Sequence, residues 1–249
     1  MLKQLCLKHS PEQISKTLKK ENYNEPVKWI SHESIYRYIY AFPRGELRKI
    51  FTGFLRCKRR LRKDRSKIHS RRGQIPDATP ISERPKEVED RIVPGHWEGD
   101  LIIGKNHKSA LGTLVERTTR LVILIPIKGK KDAKTVREAF AEVFNEIDPE
   151  VRLSMTYDRG TEMAEHKLLT EETGVKVYFA DPSLPGPRGT NENTNGLIRQ
   201  YFPKKTDFSK VTLEEIKFAQ DELNGRPRKV LDWETPKKAF QKLIGALES

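Results

Sequence analysis

The sequence predicts an α/β domain in which helices flank a mixed sheet, preceded by a small helical region. Two observations indicate this fold class. Three short apolar segments with hairpin-like spacing lie between residues 97 and 127, and the segments after them alternate between strand and helix patterns. Two short, capped helical patterns occupy residues 1–42. We therefore expect a helical region first and a mixed sheet after it.

The first helix is expected to begin after Ser10. Ser10 supplies an N-cap, Pro11 stands at the first helical position, and Gln13 completes a capping box, so the pattern predicts a helix through about Lys20.

A second helix is expected to begin after Ser31, with Ile35 and Ile39 on its apolar stripe. The two helices fit either a helix-turn-helix or a plain helical hairpin, because their connection is longer than the usual turn of a helix-turn-helix. In the first case Ser34 and Arg37 would face a DNA groove.

Residues 43–92 are predicted to form a basic arm and a linker. Between residues 44 and 72 there are 13 Lys and Arg but only two acids, and Lys58, Arg59 and Arg60 form its densest run. Such a run repels itself, so we expect an extended or marginally helical segment that lies on DNA without sequence choice. Pro76, Pro80 and Pro85 indicate the linker.

The charge of the chain is concentrated at one end. Residues 1–95 hold 23 Lys and Arg against 11 acids, whereas residues 96–249 hold 25 against 24. This asymmetry favours a polyanion partner. Cys6 and Cys57 stand far apart without a CxxC pair, which argues against a zinc site or a disulfide framework. No apolar run approaches the length of a membrane span, so we expect a soluble cytoplasmic protein.

Residues 93–205 are predicted to form the core of the α/β domain, with C-terminal helices over 206–249. A helix is expected after Asp132, a capping box at Thr212 and Glu215 begins another, and Pro236 opens the last. The predicted strands span residues 97–103, 111–115, 121–127, 153–157 and 175–180.

A further helix is predicted from residue 190 to residue 202. At about 100° per residue, Glu192, Asn195 and Arg199 share one side, and Leu197 and Ile198 lie on the other. The apolar side can pack against the sheet. The polar side is expected to meet a metal ion and a nucleic-acid backbone.

Three acids occupy positions where an unpaired carboxylate would be costly. Asp100 lies within the first strand, Asp158 ends the fourth, and Glu192 lies on the polar helix side. Ligation by carboxylates alone suits Mg²⁺ or Mn²⁺, and two such ions can act on the attacking and leaving oxygens of a phosphodiester displacement. The attacking group would be water or a DNA 3′-hydroxyl.

Several motifs resemble the insertion-sequence 30 family of bacterial DDE transposases over almost the whole chain. They are SPEQI at 10–14, SHESIY at 31–36, GHWEGD at 95–100, YDRG at 157–160, RGTNENTNG at 188–196, RQYFPK at 199–204 and LNGRPRKVL at 223–231.

This resemblance implies a retroviral-integrase-like RNase H fold in which Asp100, Asp158 and Glu192 hold two divalent ions. It implies an enzyme that cuts at the terminal inverted repeats of its element and joins the 3′ ends to target DNA as a homo-oligomer. Arg199 matches a basic position near the DNA backbone, and Arg188 and Asn195 are further expected DNA contacts.

Alternatives remain open at this stage. Compared with the resembled family the chain is expected to be N-terminally truncated, which favours a catalytically silent DNA-binding remnant that competes with a full-length enzyme. A nuclease acting on RNA–DNA hybrids is a third reading. His96 and His166 either lie behind the acids or make structural hydrogen bonds, and Trp97 is expected in the core.

Overall fold

The computed structural model describes residues 1–55, 75–180 and 189–247, with the side chains of residues 189, 190, 192 and 247 left aside. The chain divides into two compact units. A helical unit is drawn from residues 1–68 and 225–236, and an α/β unit from residues 69–224 and 237–249.

Four helices form the first part of the helical unit: α1 (Leu2–Cys6), α2 (Pro11–Glu21), α3 (His32–Ala41) and α4 (Glu46–Phe54). The predicted capping box is present, since the Ser10 hydroxyl accepts a hydrogen bond from the Gln13 amide and the Gln13 side chain accepts one from the Ser10 amide. Ser31 caps α3 in the predicted way. The helices enclose a small apolar core of Leu5, Ile14, Ile35, Ile39 and Leu55.

Helix α4 falls within the predicted basic arm, for which an extended or marginally helical segment was expected. Phe51 and Phe54, three residues apart, share one side of α4 and pack against the apolar core. The rings of Phe51 and Phe42 stack with centroids 4.9 Å apart. Apolar packing therefore orders residues 46–54 despite their basic surroundings.

The segment 225–236 groups with the helical unit, whereas the sequence analysis placed it with the C-terminal helices of the core. The Gln13 side chain donates a hydrogen bond to the Pro227 carbonyl at 2.7 Å, and the Arg226 guanidinium donates one to the Leu7 carbonyl at 3.3 Å. Lys229 pairs with Glu12. These long-range polar contacts, which no local pattern predicts, explain the difference.

The α/β unit is built on one five-stranded sheet. In chain order its elements are α5 (Glu87–Asp90), β1 (His96–Ile103), β2 (Ala110–Glu116), β3 (Val122–Ile127), α6 (Ala133–Glu146), β4 (Ser154–Tyr157), α7 (His166–Thr173), β5 (Lys176–Phe179), α8 (Gly189–Ile198), α9 (Leu213–Asn224) and α10 (Pro236–Leu247). The strand order is β3-β2-β1-β4-β5. The pairs β1–β2 and β2–β3 are antiparallel, and β1–β4 and β4–β5 are parallel, which confirms the predicted mixed sheet.

The alternation of side chains along β1 separates two apolar clusters. Trp97 and Leu101 point to the cluster that contains Phe140 and Phe144 of α6. Ile102 points the other way, to the cluster that contains Leu197 and Ile198 of α8 with residues of α9. Helices therefore cover both faces of the sheet. Glu98 and Asp100 share the α8 face with Ile102.

Helix α8 ends earlier than predicted, at Ile198 instead of residue 202. Beyond it the amides of Gln200 and Tyr201 bond to carbonyls three residues back. Pro203 follows, and the residue before a proline disfavours the helical conformation. The apolar side of α8 faces the protein interior as expected, because Leu197 and Ile198 are buried, whereas Gly196 is exposed.

The described part of the predicted linker packs against the sheet. Ile75 is buried in the apolar cluster that contains Phe140 and Phe144. The Phe179 amide donates a hydrogen bond to the Thr79 carbonyl at 2.9 Å, and the buried Arg84 guanidinium donates one to the Thr156 hydroxyl. The linker thus covers the β5 edge. Among the residues that the structure describes, no helix is long and apolar enough to cross a membrane.

Candidate active site

Asp100 lies in β1, and Asp158 directly follows the neighbouring parallel strand β4. Glu98 of β1 pairs with Thr156 of β4, and each acid follows its pairing residue by two positions. Asp100 shares the α8 face of β1 with Glu98, and Asp158 is the first residue after β4. Both side chains are partly exposed.

Gly99 allows the close approach of β1 and β4. A Cβ atom at Gly99 would lie 2.7 Å from the Met155 sulfur and 2.8 Å from the Tyr157 ring. Such distances are shorter than real Cβ contacts, so the large side chains of β4 occupy the space beside Gly99. Gly99 of the GHWEGD motif thus leaves room for the β4 side chains beside β1.

Helix α8 is fixed on β1 by polar contacts. The Asn195 side-chain amide donates a hydrogen bond to the Asp100 carboxylate at 2.7 Å, and the Asn191 backbone amide donates one to the Glu98 carboxylate at 2.9 Å. Asn191 also lies 3.4 Å from the Thr113 hydroxyl of β2. Ile102 continues the interface with an apolar contact to the end of α8.

Glu192 lies in α8 between these contacts. Its backbone follows Asn191, whose amide is bonded to Glu98, and precedes by three residues Asn195, whose side chain is bonded to Asp100. The structure therefore places the Glu192 backbone on the helix that covers Asp100. Its side chain lies outside the described part of the structure.

Glu162 is an additional acid at this site that the sequence analysis missed. It lies in a single 3₁₀ turn, Thr161–Met163, with its carboxylate against Gly160. Burial raises the pKa of Glu162, and the negative charges of Asp158 and Asp100 raise it further. The only sequence signal was its position four residues after Asp158.

Glu98, two residues before Asp100 on β1, forms a buried ion pair with Arg117 of the β2–β3 turn. The Glu98 side chain is fully buried, and the almost fully buried Arg117 donates to it at 2.7 Å. Arg117 also donates to the Val88 carbonyl at 3.3 Å. Burial is the main reason why the pKa of Arg117 falls to about 10, and the carboxylate of Glu98 opposes that fall. The sequence analysis did not single out either residue.

The donor set at this site fits a hard divalent cation. Asp100, Asp158 and the neighbouring Glu162 supply only carboxylate oxygens, which Mg²⁺ and Mn²⁺ prefer. Within residues 1–55, 75–180 and 189–247, no three His, Cys, Asp or Glu side chains form a complete metal-binding group.

The expected DNA contacts fall in different places. Arg199 is partly buried, and its guanidinium donates to the carbonyls of Ile103 and Pro203 at 3.0 and 3.3 Å. Burial lowers the pKa of Arg199. Ser34 and Arg37 are exposed on α3. Arg188, Lys58, Arg59 and Arg60 lie outside the described residues.

The two histidines near the motifs make structural hydrogen bonds. His96 Nδ1 lies 2.8 Å from the Ser154 hydroxyl, and His166 Nε2 lies 3.3 Å from the Asp77 carbonyl. Trp97 is fully buried, as expected, and its indole donates to the Val151 carbonyl.

The mixed five-stranded sheet flanked by helices is that of an RNase H-like integrase core. The family described as integrase core domain matches residues 90–185, which contain Asp100 and Asp158. Among solved structures, the catalytic core domain of BIV integrase aligns with a TM-score of 0.48 and 17% identity, over 62% of this chain and 99% of that one.

Relatives in sequence give the family. The transposase for insertion sequence element IS1086 of Cupriavidus metallidurans is 48% identical over 95% of this chain and 70% of its own length. Transposase InsI for insertion sequence element IS30A of Escherichia coli K12 is 43% identical over 97% of this chain and 63% of its own length. The chain belongs to the insertion-sequence 30 family of transposases.

Proposed function

We propose that this protein is a DDE transposase that cuts DNA at the terminal inverted repeats of its insertion sequence and joins the freed 3′ ends to target DNA. The relatives named as transposases for insertion sequence elements support this activity. The partner is therefore DNA, both element ends and target.

The observation that supports the proposal is that Asp100 on β1 is bonded to the helix that bears Glu192, while Asp158 follows the parallel neighbour strand β4. Asp100, Asp158 and Glu192 would hold two divalent ions, Mg²⁺ or Mn²⁺. When bound, such ions stabilise negative charge on the attacking and leaving oxygens of a phosphodiester.

The chain's own residues then have separate tasks. Asn195 orients the Asp100 carboxylate through its 2.7 Å hydrogen bond. Arg199, the first residue after the same helix, is proposed to lie near the DNA backbone, where its partly exposed guanidinium would favour a phosphate. Asn195 and Arg188 would border the same DNA path.

DNA binding outside the active site is assigned to the basic N-terminal part of the chain. Ser34 and Arg37 on α3 would face a groove, and Lys58, Arg59 and Arg60 would neutralise phosphates. Since two element ends must be joined, we propose that the protein acts as a homo-oligomer assembled on DNA.

The test is strand cleavage and joining on a DNA fragment that carries the element's own ends, in Mg²⁺ or Mn²⁺. Asp158→Asn should lower the cleavage rate by about 10³-fold, because the site loses a carboxylate that would hold the charge-stabilising divalent ions. DNA binding, measured by gel shift, should remain. Asp221→Asn is the matched control, since Asp221 is exposed on α9.

The outcomes separate the competing functions. Cleavage retained by Asp158→Asn would contradict the assignment of the acids. DNA binding without cleavage by the wild-type chain would favour a catalytically silent DNA-binding protein that competes with an active transposase. Cleavage confined to the RNA strand of an RNA–DNA hybrid would favour a nuclease of the RNase H type.

A further inference from the structure

Glu98 is a buried carboxylate whose two oxygens contact two different parts of the α/β unit. One oxygen accepts from the Arg117 guanidinium at 2.7 Å, and the other accepts from the Asn191 backbone amide at 2.9 Å. The Glu98 side chain is fully buried. A carboxylate can be held in this environment because charged and dipolar donors meet both oxygens.

The Asn191 amide belongs to the first turn of α8. Amides of a first helical turn have no partner within the helix, and a negative charge near them is favoured by the helix dipole. In most helices a neighbouring residue in sequence supplies this cap. Here a glutamate from β1, 93 positions away in sequence, bonds to the amide.

The bonded amide is the neighbour of Glu192. A shift of the first turn of α8 would move the Glu192 backbone relative to Asp100 on the same strand as Glu98. Arg117 makes two further hydrogen bonds. Its guanidinium donates to the Val88 carbonyl, and its backbone amide donates to the His96 carbonyl at 2.9 Å. Arg117 therefore holds one carboxylate oxygen of Glu98, while the other oxygen contacts α8.

We propose that Glu98, held by Arg117, is a positioning residue that sets the distance between Glu192 and the pair Asp100 and Asp158. This role rests on the proposed function, because it matters for catalysis only if these acids hold the divalent ions. Glu98 acts through α8 and does not itself touch the DNA or the ions.

Glu98→Gln tests this role. The amide group that replaces one oxygen can no longer accept a hydrogen bond, so either Arg117 or the Asn191 amide loses its acceptor. We expect Mn²⁺ binding to weaken by roughly tenfold, the lower end of what loss of an outer contact to a metal site costs. The measurement is a Mn²⁺ titration of the full chain, followed by electron paramagnetic resonance of the free ion.

Cleavage of an element end is measured in parallel over a range of Mn²⁺ concentrations. The concentration needed for half-maximal cleavage should rise by the same factor as the binding constant, and high Mn²⁺ should restore most of the rate. A purely structural contact would lower thermal stability without moving the Mn²⁺ dependence.

Glu116→Gln is the matched control. Glu116 is also a fully buried glutamate, on β2, but its carboxylate bonds to the amide and hydroxyl of Thr119 within a local turn. This variant should lose thermal stability and keep the wild-type Mn²⁺ affinity.

If Glu98→Gln fails to fold, the Mn²⁺ affinity of the double variant Glu98→Met with Arg117→Met tests the proposal instead. Replacing a buried ion pair by apolar residues of similar volume often preserves stability, yet it leaves the Asn191 amide without its carboxylate. Weakened Mn²⁺ binding in the double variant supports the proposal.

Wild-type Mn²⁺ affinity in a folded Glu98→Gln variant, or in the folded double variant, would overturn it. Asp158→Asn in the same titration separates this failure from failure of the proposed function. If Asp158→Asn also binds Mn²⁺ like the wild type, the assignment of the ion site is wrong, whatever Glu98 does.

Discussion

At the scale of single residues, the candidate site brings several carboxylates close enough for their charges to interact. Asp100 accepts a hydrogen bond from Asn195, whereas burial and the nearby Asp158 and Asp100 raise the pKa of Glu162. Like charges this close disfavour ionisation. A divalent cation held by these carboxylates, as proposed above, would relieve that repulsion.

A second charged residue cluster lies in the helical unit around His9. Burial lowers the pKa of His9 from its ordinary 6.5 to about 4, and the positive charges of Arg226 and Arg228 add to the effect. The folded state therefore keeps the His9 imidazole neutral at pH values where the same imidazole is protonated in the unfolded chain. Stability supplied by neutral His9 is complete above about pH 6.5 and is lost as the pH falls toward 4.

We predict a loss of about 2 kcal/mol from the helical unit over this window, after allowance for solvent screening. The pKa itself is measured by NMR titration of histidine ring signals in the full chain, with the His9 signal assigned by its absence in His9→Gln. Titration of His9 near 6.5 would contradict the buried, cationic surroundings. His9→Gln should flatten the pH dependence of stability between pH 6.5 and 4.

At the scale of elements, the match between β1 and α8 explains how the acids come together. Two residues along a strand advance about 6.6 Å, and four residues along a helix advance about 6 Å. Glu98 and Asp100 on β1 therefore meet Asn191 and Asn195 on α8 in step. The helix that carries Glu192 thus runs along the strand that carries Asp100.

Gly99→Ala should disturb this arrangement from the other side of the sheet. The new methyl group would collide with Met155 and Tyr157 of β4. We expect a loss of about 1–3 kcal/mol in unfolding free energy, the usual cost of overpacking, measured by urea denaturation.

Gly196→Ala is the contrasting variant. Gly196 is exposed on α8 and an added Cβ meets nothing within 4 Å. Alanine in a helix is favoured over glycine by about 0.5–1 kcal/mol, so this variant should be as stable as the wild type or more stable. A Gly99→Ala variant as stable as Gly196→Ala would contradict the close packing of β1 on β4.

Local elements were predictable from sequence because their signals are local. The caps at Ser10, Ser31 and Asp132 and the capping box at Thr212 are present in the structure, and each needs only residues three positions apart. The five strands were likewise marked by short apolar runs.

The contacts that complete the site were not predictable in this way. Glu98 and Arg117 meet through the antiparallel pairing of β1 and β2, and Glu98 meets Asn191 across 93 positions of sequence. A glutamate in a strand gives no sign of the donor it will contact. Asp100 and Asp158 were singled out by their strand positions and by motifs that resemble a known family, whereas the parallel pairing of β1 with β4 came only from the structure.

At the scale of the whole molecule, the charge asymmetry separates two kinds of DNA contact. The excess positive charge lies in residues 1–95, and the integrase core that follows is nearly neutral. Affinity for DNA is therefore assigned to the N-terminal part, whereas chemistry is assigned to the core. Sequence-independent phosphate contacts of this kind are strongly weakened by salt.

Replacing Arg59 and Arg60 together by Ala should weaken binding to every DNA sequence. Loss of two phosphate contacts should reduce the slope of log affinity against log salt concentration by about 2. The measurement is fluorescence anisotropy on an element end and on an unrelated duplex over a range of NaCl concentrations.

The matched control replaces Lys237 and Lys238, which are exposed on α10, by Ala. It removes the same charge, and we expect the salt slope to remain near that of the wild type. A loss of affinity in the Arg59 and Arg60 variant that is confined to the element end would contradict a non-selective basic arm.

The most direct test of the central claim, that Asp158 helps to hold the catalytic ion, is cleavage of an element end by an Asp158→Cys variant in Mg²⁺ and in Mn²⁺. A thiolate is a poor ligand for Mg²⁺ and a better one for the softer Mn²⁺. The account predicts loss of cleavage in Mg²⁺ and measurable recovery in Mn²⁺, while Asp221→Cys cleaves like the wild type in both. Wild-type cleavage by Asp158→Cys in Mg²⁺ would contradict it.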